Sequence, residues 1–150
     1  MASFVSFRTE LDTACLNAAL LREPQLFALA LPRVERELRF YVVRSLSESS
    51  LQRSRFGILE PRADANALVA AADIDVFVTP GVAFDARGGR LGYGRGLYDR
   101  LCNPRSKTIG LAFDVQIVAS VPTEPHDVAV GLVVTPTRTI EVERGDQQSE

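Results

Sequence analysis

With 150 residues, 46% of them apolar and 24% charged, the chain is long enough to bury one domain's core and too apolar for a disordered polymer. A formal net charge of -2 argues against a protein built mainly for nucleic acid or an anionic membrane surface. A single histidine, His126, and two distant cysteines, Cys15 and Cys102, exclude a Cys/His zinc site.

In chain order, residues 3–7 read as a short strand ended by the polar run Arg8-Thr9-Glu10. Asp12 or Thr13 then caps a helix whose apolar stripe is Leu16, Ala19 and Leu20. Residues 28–31 form an apolar run that suits a buried strand and that Pro32 should stop. Leu38, Phe40 and Val42 alternate with Arg39, Tyr41 and Val43, the period of a strand with one wetter face. Residues 45–50 are a polar loop, and 56–61 an ordered but irregular segment. Asp64 is expected to cap a helix running to Ala72, and 75–79 to form an apolar strand ended by Pro80-Gly81. Further on, 96–102 reads as a helix, 108–113 and 129–135 as strands, and 138–143 as a weaker last strand before a frayed polar tail.

Strands alternate with helices, and several strands are nearly all apolar. This pattern predicts a mainly parallel sheet with helices on both faces, in one domain spanning residues 1–150. The two thiols read as small buried hydrophobes of a reducing compartment. No stretch approaches the ~18 apolar residues of a membrane span. The start MASFVSFRTELD lacks a basic region followed by an apolar run, so a cytoplasmic location is expected.

The chemistry concentrates after the strand at 75–79. Gly92, Gly94 and Gly96 fall at every second position before an expected helix start, and glycine lets backbone amides close on a ligand. Successive amides at such a place form an anion-binding concavity. Between Arg87 and Lys107 stand six cations and one acid, Asp99. That local excess in a net-negative chain points to a polyanion such as a triphosphate, with Asp99 placed to share Mg²⁺ with it. The spacing is GxGxG, neither the dinucleotide fingerprint GxGxxG nor a P-loop GxxxxGK[ST]. No Ser/His/Asp or Cys/His set for nucleophilic catalysis can be assembled, and His126 reads as neither ligand nor base.

Pro80-Gly-Val-Ala-Phe-Asp85 followed by Arg90-Leu-Gly-Tyr-Gly-Arg-Gly-Leu-Tyr-Asp-Arg100 closely resembles the signature of the 5-formyltetrahydrofolate cyclo-ligase family, also called methenyltetrahydrofolate synthetases. Glu10-Leu-Asp-Thr13, Leu31-Pro-Arg-Val34 with Glu37-Leu-Arg-Phe40, Gly110-Leu-Ala-Phe113, and Pro122-Thr-Glu-Pro-His-Asp127 resemble the same family in the same order. The resemblance implies a three-layer α/β/α sandwich. It also implies ATP- and Mg²⁺-dependent closure of 5-formyltetrahydrofolate to 5,10-methenyltetrahydrofolate, with ADP and phosphate released. Such chemistry asks for positioning and charge neutralisation more than for a nucleophile.

Carried onto this chain, Arg90, Leu91, Gly92, Tyr93, Gly94, Arg95, Gly96, Leu97 and Tyr98 would form the ATP loop. Arg95 would neutralise phosphate charge, and Tyr98 would bridge the nucleotide and folate sites. Asp99 and Asp127 would hold Mg²⁺, while Val5, Glu10 and Phe56 would face the folate. The implied partner is a small-molecule folate, not nucleic acid or membrane, and the implied state a monomer or weak homo-oligomer.

Two departures from the pattern are visible. Family members usually begin with a basic helix ahead of the first strand, whereas here Met1 falls almost directly before residues 3–7. Leu97 stands where relatives usually carry an aromatic before Tyr98. Three readings follow: an active cyclo-ligase that compensates, a catalytically weak relative that still binds folate or nucleotide, and a truncated paralogue.

Overall fold

The computed structural model describes residues 1–94, 96, 98 and 106–142. Its centre is built on Ala2, a small residue that is paired on both sides. The Ala2 N–H donates to the Val76 carbonyl at 2.8 Å, and the Val78 N–H donates to the Ala2 carbonyl at 2.9 Å. On the other side Ser3 N–H reaches Ala30 O, and Ala30 N–H reaches Met1 O, each at 2.9 Å. Both bridges, to Ala30 and to Phe77, are parallel.

The expected strand over residues 3–7 is therefore confined to the seam around residue 2. The Phe4 carbonyl is taken instead by the Thr13 hydroxyl at 2.6 Å and the Asn17 amide at 2.9 Å, which draws the chain away from the ladder. Those two side chains belong to the start of helix α1 (Ala14–Arg22). Asp12 accepts the Ala14 N–H at 2.9 Å, so both expected capping residues are used, one for the helix end and one for Phe4. Of the expected stripe, Leu20 is buried and Leu16 packs beside it, but Ala19 is exposed and Asn17 takes the inward position. Cys15 is exposed rather than buried, because the helix turns that face to water; Cys102 lies outside the described residues.

One flank of the seam is β1 (Ala30–Val34), β2 (Leu38–Val42) and β5 (Ala67–Val69), all antiparallel. Strand β1 runs through Pro32 instead of stopping there. Val43 N–H bonds to Leu29 O while the Ala30 N–H points the other way, to Met1. By the two-residue alternation, the N–H that Pro32 lacks would also point away from β2, so no bond between β1 and β2 is lost.

Between β2 and β5, β3 (Leu51–Arg53) and β4 (Leu59–Pro61) pair as a hairpin. Residues 56–61, irregular by sequence pattern, form its turn and second strand, and Gly57, at φ 80°, turns it. The helix expected from Asp64 to Ala72 is replaced by β5 and a 3₁₀ turn over Ala71–Asp73. A nine-residue helix is marginal by itself, and the free edge of β2 offers these residues a ladder. Asn66 fixes the entry by donating to the carbonyls of Ser50 and Arg62, both at 2.8 Å.

The other flank is β6 (Val76–Thr79), β9 (Lys107–Leu111), β10 (Leu132–Val134) and β11 (Thr139–Glu141). Here β6–β9 and β9–β10 are parallel and β10–β11 antiparallel. The fold is thus mixed α/β, with parallel pairing at the centre and antiparallel pairing at both edges. A small hairpin, β7 (Ala83–Phe84) with β8 (Arg90–Leu91), stands apart from the main sheet. Among the described residues α1 is the one α-helix, and no helix is long and apolar enough to cross a membrane. The helix expected over 96–102 falls on residues outside the described set.

Phe84 is fully buried with Ala112, Val130 and Val133, and its ring occupies the space that a side chain on Gly81 or Gly110 would need. Replacing Gly110 by Ala should lower stability by about 1–3 kcal/mol, the usual range for overpacking. In urea denaturation, the double variant Gly110→Ala/Phe84→Leu should lose less than the sum of the two single changes.

Candidate functional site

β6 ends at Thr79, and Pro80-Gly81 turn the chain into the β7–β8 hairpin. The hairpin's tip is organised by Asp85, whose carboxylate is almost completely buried. One oxygen accepts the N–H groups of Arg87 and Gly89, both at 2.9 Å. The other accepts Val121 N–H at 2.7 Å and lies 3.7 Å from the Arg87 guanidinium. Burial pushes the Asp85 carboxyl up, but these three N–H donors and Arg87 outweigh it and hold the group below the usual aspartate value. A Cβ on Gly89 would sit 2.8 Å from the carboxylate, so only glycine fits there. Gly88, at φ 83°, lies against the Val130 carbonyl, and its own carbonyl accepts Val130 N–H at 2.9 Å.

This turn and the segment from Val121 to Ala129 face each other across a cavity of about 300 Å³. Arg87 and Arg90 supply one wall, and Glu124 and Asp127 the other. Asp127 is half-buried; its Oδ2 accepts Glu124 N–H at 2.7 Å and its Oδ1 lies 3.8 Å from the exposed His126 ring. Asp127 and Glu124 are hard oxygen donors beside cations suited to phosphate, the setting in which Mg²⁺ takes one or two carboxylates and shares phosphate oxygens. Among the described residues no cluster of three or more potential ligands stands ready, so phosphate and a further residue would have to complete the shell.

Beyond β8 the glycine loop begins. Gly94 and Gly96 adopt φ 81° and 55°, conformations that other residues rarely reach, which is the conformational demand expected of the GxGxG spacing. The Arg90 guanidinium lies 5.5 Å above the Tyr98 ring, and Tyr98 packs against the core of Ala2, Phe40 and Phe77. Arg95, Leu97 and Asp99 fall outside the described residues.

Of the residues implied for the folate, Glu10 closes the turn at 7–10. Glu10 accepts Phe7 N–H at 2.8 Å across a turn whose Arg8 is left-handed at φ 55°. Burial raises the Glu10 carboxyl above the usual glutamate value, against hydrogen bonds from Phe7 N–H and the Tyr93 phenol. A residue implied for the folate and a residue implied for the nucleotide are thereby in contact. Val5 packs with Leu20, Leu31, Leu51 and Leu59. The last two belong to the β3–β4 hairpin, whose tip carries Phe56, half-exposed with the Arg55 guanidinium 4.7 Å over its ring.

Two residues had no role assigned from sequence. Asp85 lies within the quoted signature, and an aspartate four residues ahead of a Gly-Gly pair's second member is a recognisable turn signal. Gln116 donates to the carbonyls of Gly81 and Val82 at 2.8 and 3.1 Å and accepts Phe113 N–H at 2.7 Å. Nothing in its local sequence marks the tie to Gly81 and Val82, which lie 35 and 34 residues away.

The fold is thus mixed α/β, with a glycine loop beside a cavity that has a cationic and an acidic wall. The model of the 5-formyltetrahydrofolate cyclo-ligase family matches residues 1–136, and the chain belongs to that family. It is 34% identical to the 5-formyltetrahydrofolate cyclo-ligase of Escherichia coli K12, over 94% of this chain and 80% of the relative. It is also 34% identical to that of Haemophilus influenzae, over 85% of this chain and 71% of the relative. Among solved structures, 5,10-methenyltetrahydrofolate synthetase of Aquifex aeolicus is similar with a TM-score of 0.79 and 34% identity, covering 99% of this chain and 74% of that one.

The two carboxylates respond to pH in opposite directions. For Glu10 the folded state holds the proton more tightly than the unfolded chain, so its contribution falls as pH rises through and above the ordinary glutamate value. Glu10→Gln should therefore raise stability at neutral pH and flatten the urea midpoint between pH 4 and pH 7. For Asp85 the folded value is depressed, so its contribution is present at neutral pH and lost as pH falls below the ordinary aspartate value. Asp85→Asn should lower stability at pH 7 and leave a smaller difference from wild type in acid.

Proposed function

We propose that the protein catalyses ATP- and Mg²⁺-dependent cyclisation of 5-formyltetrahydrofolate to 5,10-methenyltetrahydrofolate, with release of ADP and phosphate. The observation that carries this reading is the cavity in which Arg87 and Arg90 oppose Glu124 and Asp127, directly ahead of the glycine loop. Its walls are chemically matched to a phosphate chain and a hard cation. The family relationship supplies the substrate class.

In this reading the formyl oxygen attacks the γ-phosphorus and ADP leaves. N10 of the folate then attacks the activated formyl carbon, and phosphate departs. The chain's own residues bind and orient. Arg90, with Arg95, faces the charge that builds on the transferring phosphoryl oxygens. Asp127, with Asp99, would hold Mg²⁺, whose contribution when bound is to neutralise phosphate charge. The Glu10 carboxylate offers an acceptor to the N–H groups of the pterin, and Val5 and Phe56 give the ring system apolar surface. The Tyr93–Glu10 contact brings the two substrates' binding elements within reach of each other, and Tyr98, under Arg90, would bridge the nucleotide and the folate. The same proposal includes a three-layer α/β/α arrangement, a cytoplasmic location and a monomer or weak homo-oligomer.

The test is to mix purified protein with 5-formyltetrahydrofolate, ATP and Mg²⁺ and follow the methenyl chromophore. Turnover that needs all three components is expected. Arg90→Ala should lower kcat by about 10²- to 10³-fold, the usual loss for a group that stabilises developing charge. Asp127→Asn should raise the Mg²⁺ concentration needed for half-maximal rate. Folded protein that shows no turnover would overturn the reading, and thermal stabilisation by folate without turnover would assign binding alone.

A further inference from the structure

We propose that Asp85 is a positioning residue that sets the distance between the cationic and acidic walls of the cleft. Its consequence for turnover rests on the proposed function above; its mechanical role does not.

The geometry separates this role from that of an ordinary turn residue. An aspartate that only shapes its own turn needs the N–H groups of Arg87 and Gly89. Asp85 uses its second oxygen on Val121, 36 residues further along the chain, at the shortest of the three distances. The turn leads into Arg90 one residue after Gly89, and the Val121 segment leads to Glu124 and Asp127. One carboxylate therefore grips the root of both walls. Two further ties run in parallel, from Arg87 to the Ser120 hydroxyl at 2.6 Å and from Val130 N–H to the Gly88 carbonyl at 2.9 Å.

Charge matters to the grip. A carboxylate makes shorter and stronger hydrogen bonds to N–H donors than a neutral acceptor does, and here it accepts three while nearly sealed from water. An asparagine could serve Arg87 and Gly89 through its oxygen, but its amide would turn a donor toward Val121 N–H. Asp85→Asn thus keeps the turn and releases the facing segment. The depressed proton affinity of Asp85 accords with a group that stays ionised to hold both sides.

The experiment compares wild type, Asp85→Asn and Val43→Ala, the last a destabilising change in a separate core beneath α1. Hydrogen–deuterium exchange should rise by about tenfold for the segment 119–128 in Asp85→Asn, with residues 30–43 unchanged. The Mg²⁺ requirement for turnover should rise by about tenfold, as when a group that orients a metal ligand is lost, with the folate KM within about twofold of wild type. Val43→Ala should show neither change. Exchange over 119–128 that stays at the wild-type level, or a Mg²⁺ requirement that moves no more than in Val43→Ala, would overturn the proposal. If wild type shows no turnover, the cyclo-ligase reading fails by itself and exchange decides the positioning role. If Asp85→Asn does not fold, Val121→Pro removes the same N–H without disturbing the buried charge and is read by the same two measurements.

Discussion

Main-chain hydrogen bonds on both sides of residues 1–3 tie β1 to β6, and without them the sheet divides into two pieces. The pieces differ in character. The β5-β2-β1 flank is an antiparallel meander that supports the β3–β4 hairpin, and the β6-β9-β10 flank is the parallel part that launches the β7–β8 turn. The hairpin that carries Phe56 packs against the first flank, the turn that holds Glu10 leaves the seam itself, and Arg90 stands on the hairpin launched from the second. Ala2 must be small because the Phe40 and Phe77 rings meet edge to face 5.4 Å apart in the same core.

The cleft follows from that arrangement together with a second constraint, the burial of Asp85. A buried carboxylate is tolerated only when its lone pairs are filled, and the chain fills them with backbone N–H groups from two separate segments. Their meeting leaves the arginines on one side of the cavity and the acids on the other. Glu10 has the contrary environment: the bonds from Phe7 N–H and the Tyr93 phenol do not fully offset its half-burial.

The strands at 76–79 and 38–42 and the glycine conformations at 94 and 96 were legible because local pattern and final structure agree there, but the expected wetter face of 38–43 is confined to Arg39, since Tyr41 and Val43 are buried. The segment 64–72 misled because its alanines satisfy helical periodicity, while the deciding partner, the β2 edge, lies some 27 residues earlier. Pro32 misled for a related reason: whether its missing N–H is harmful depends on which side of the strand it faces, and only the neighbours of β1 settle that. For the candidate site, the glycine spacing marked the loop and the resemblance implied Asp127, which lines the cavity with Arg87 and Arg90. The grouping of Glu10 with Tyr93, and the tie from Asp85 to Val121, depend on approaches over 83 and 36 residues that no local pattern encodes.

The seam at Ala2 also bears on the order in which the fold can assemble. Its bridge to Ala30 closes a loop of 28 residues, but its bridge to Phe77 closes one of 75. The entropy of closing the longer loop must be met before the parallel pairing rewards it, which places this contact among the slower events of folding. On a growing chain the meander, helix α1 and the hairpin are complete in sequence before β6 begins at Val76. The open side of residues 1–3 is then an unpaired edge, exposed until β6 arrives to cover it, and that interval is when the nascent chain is most open to pairing with a neighbour.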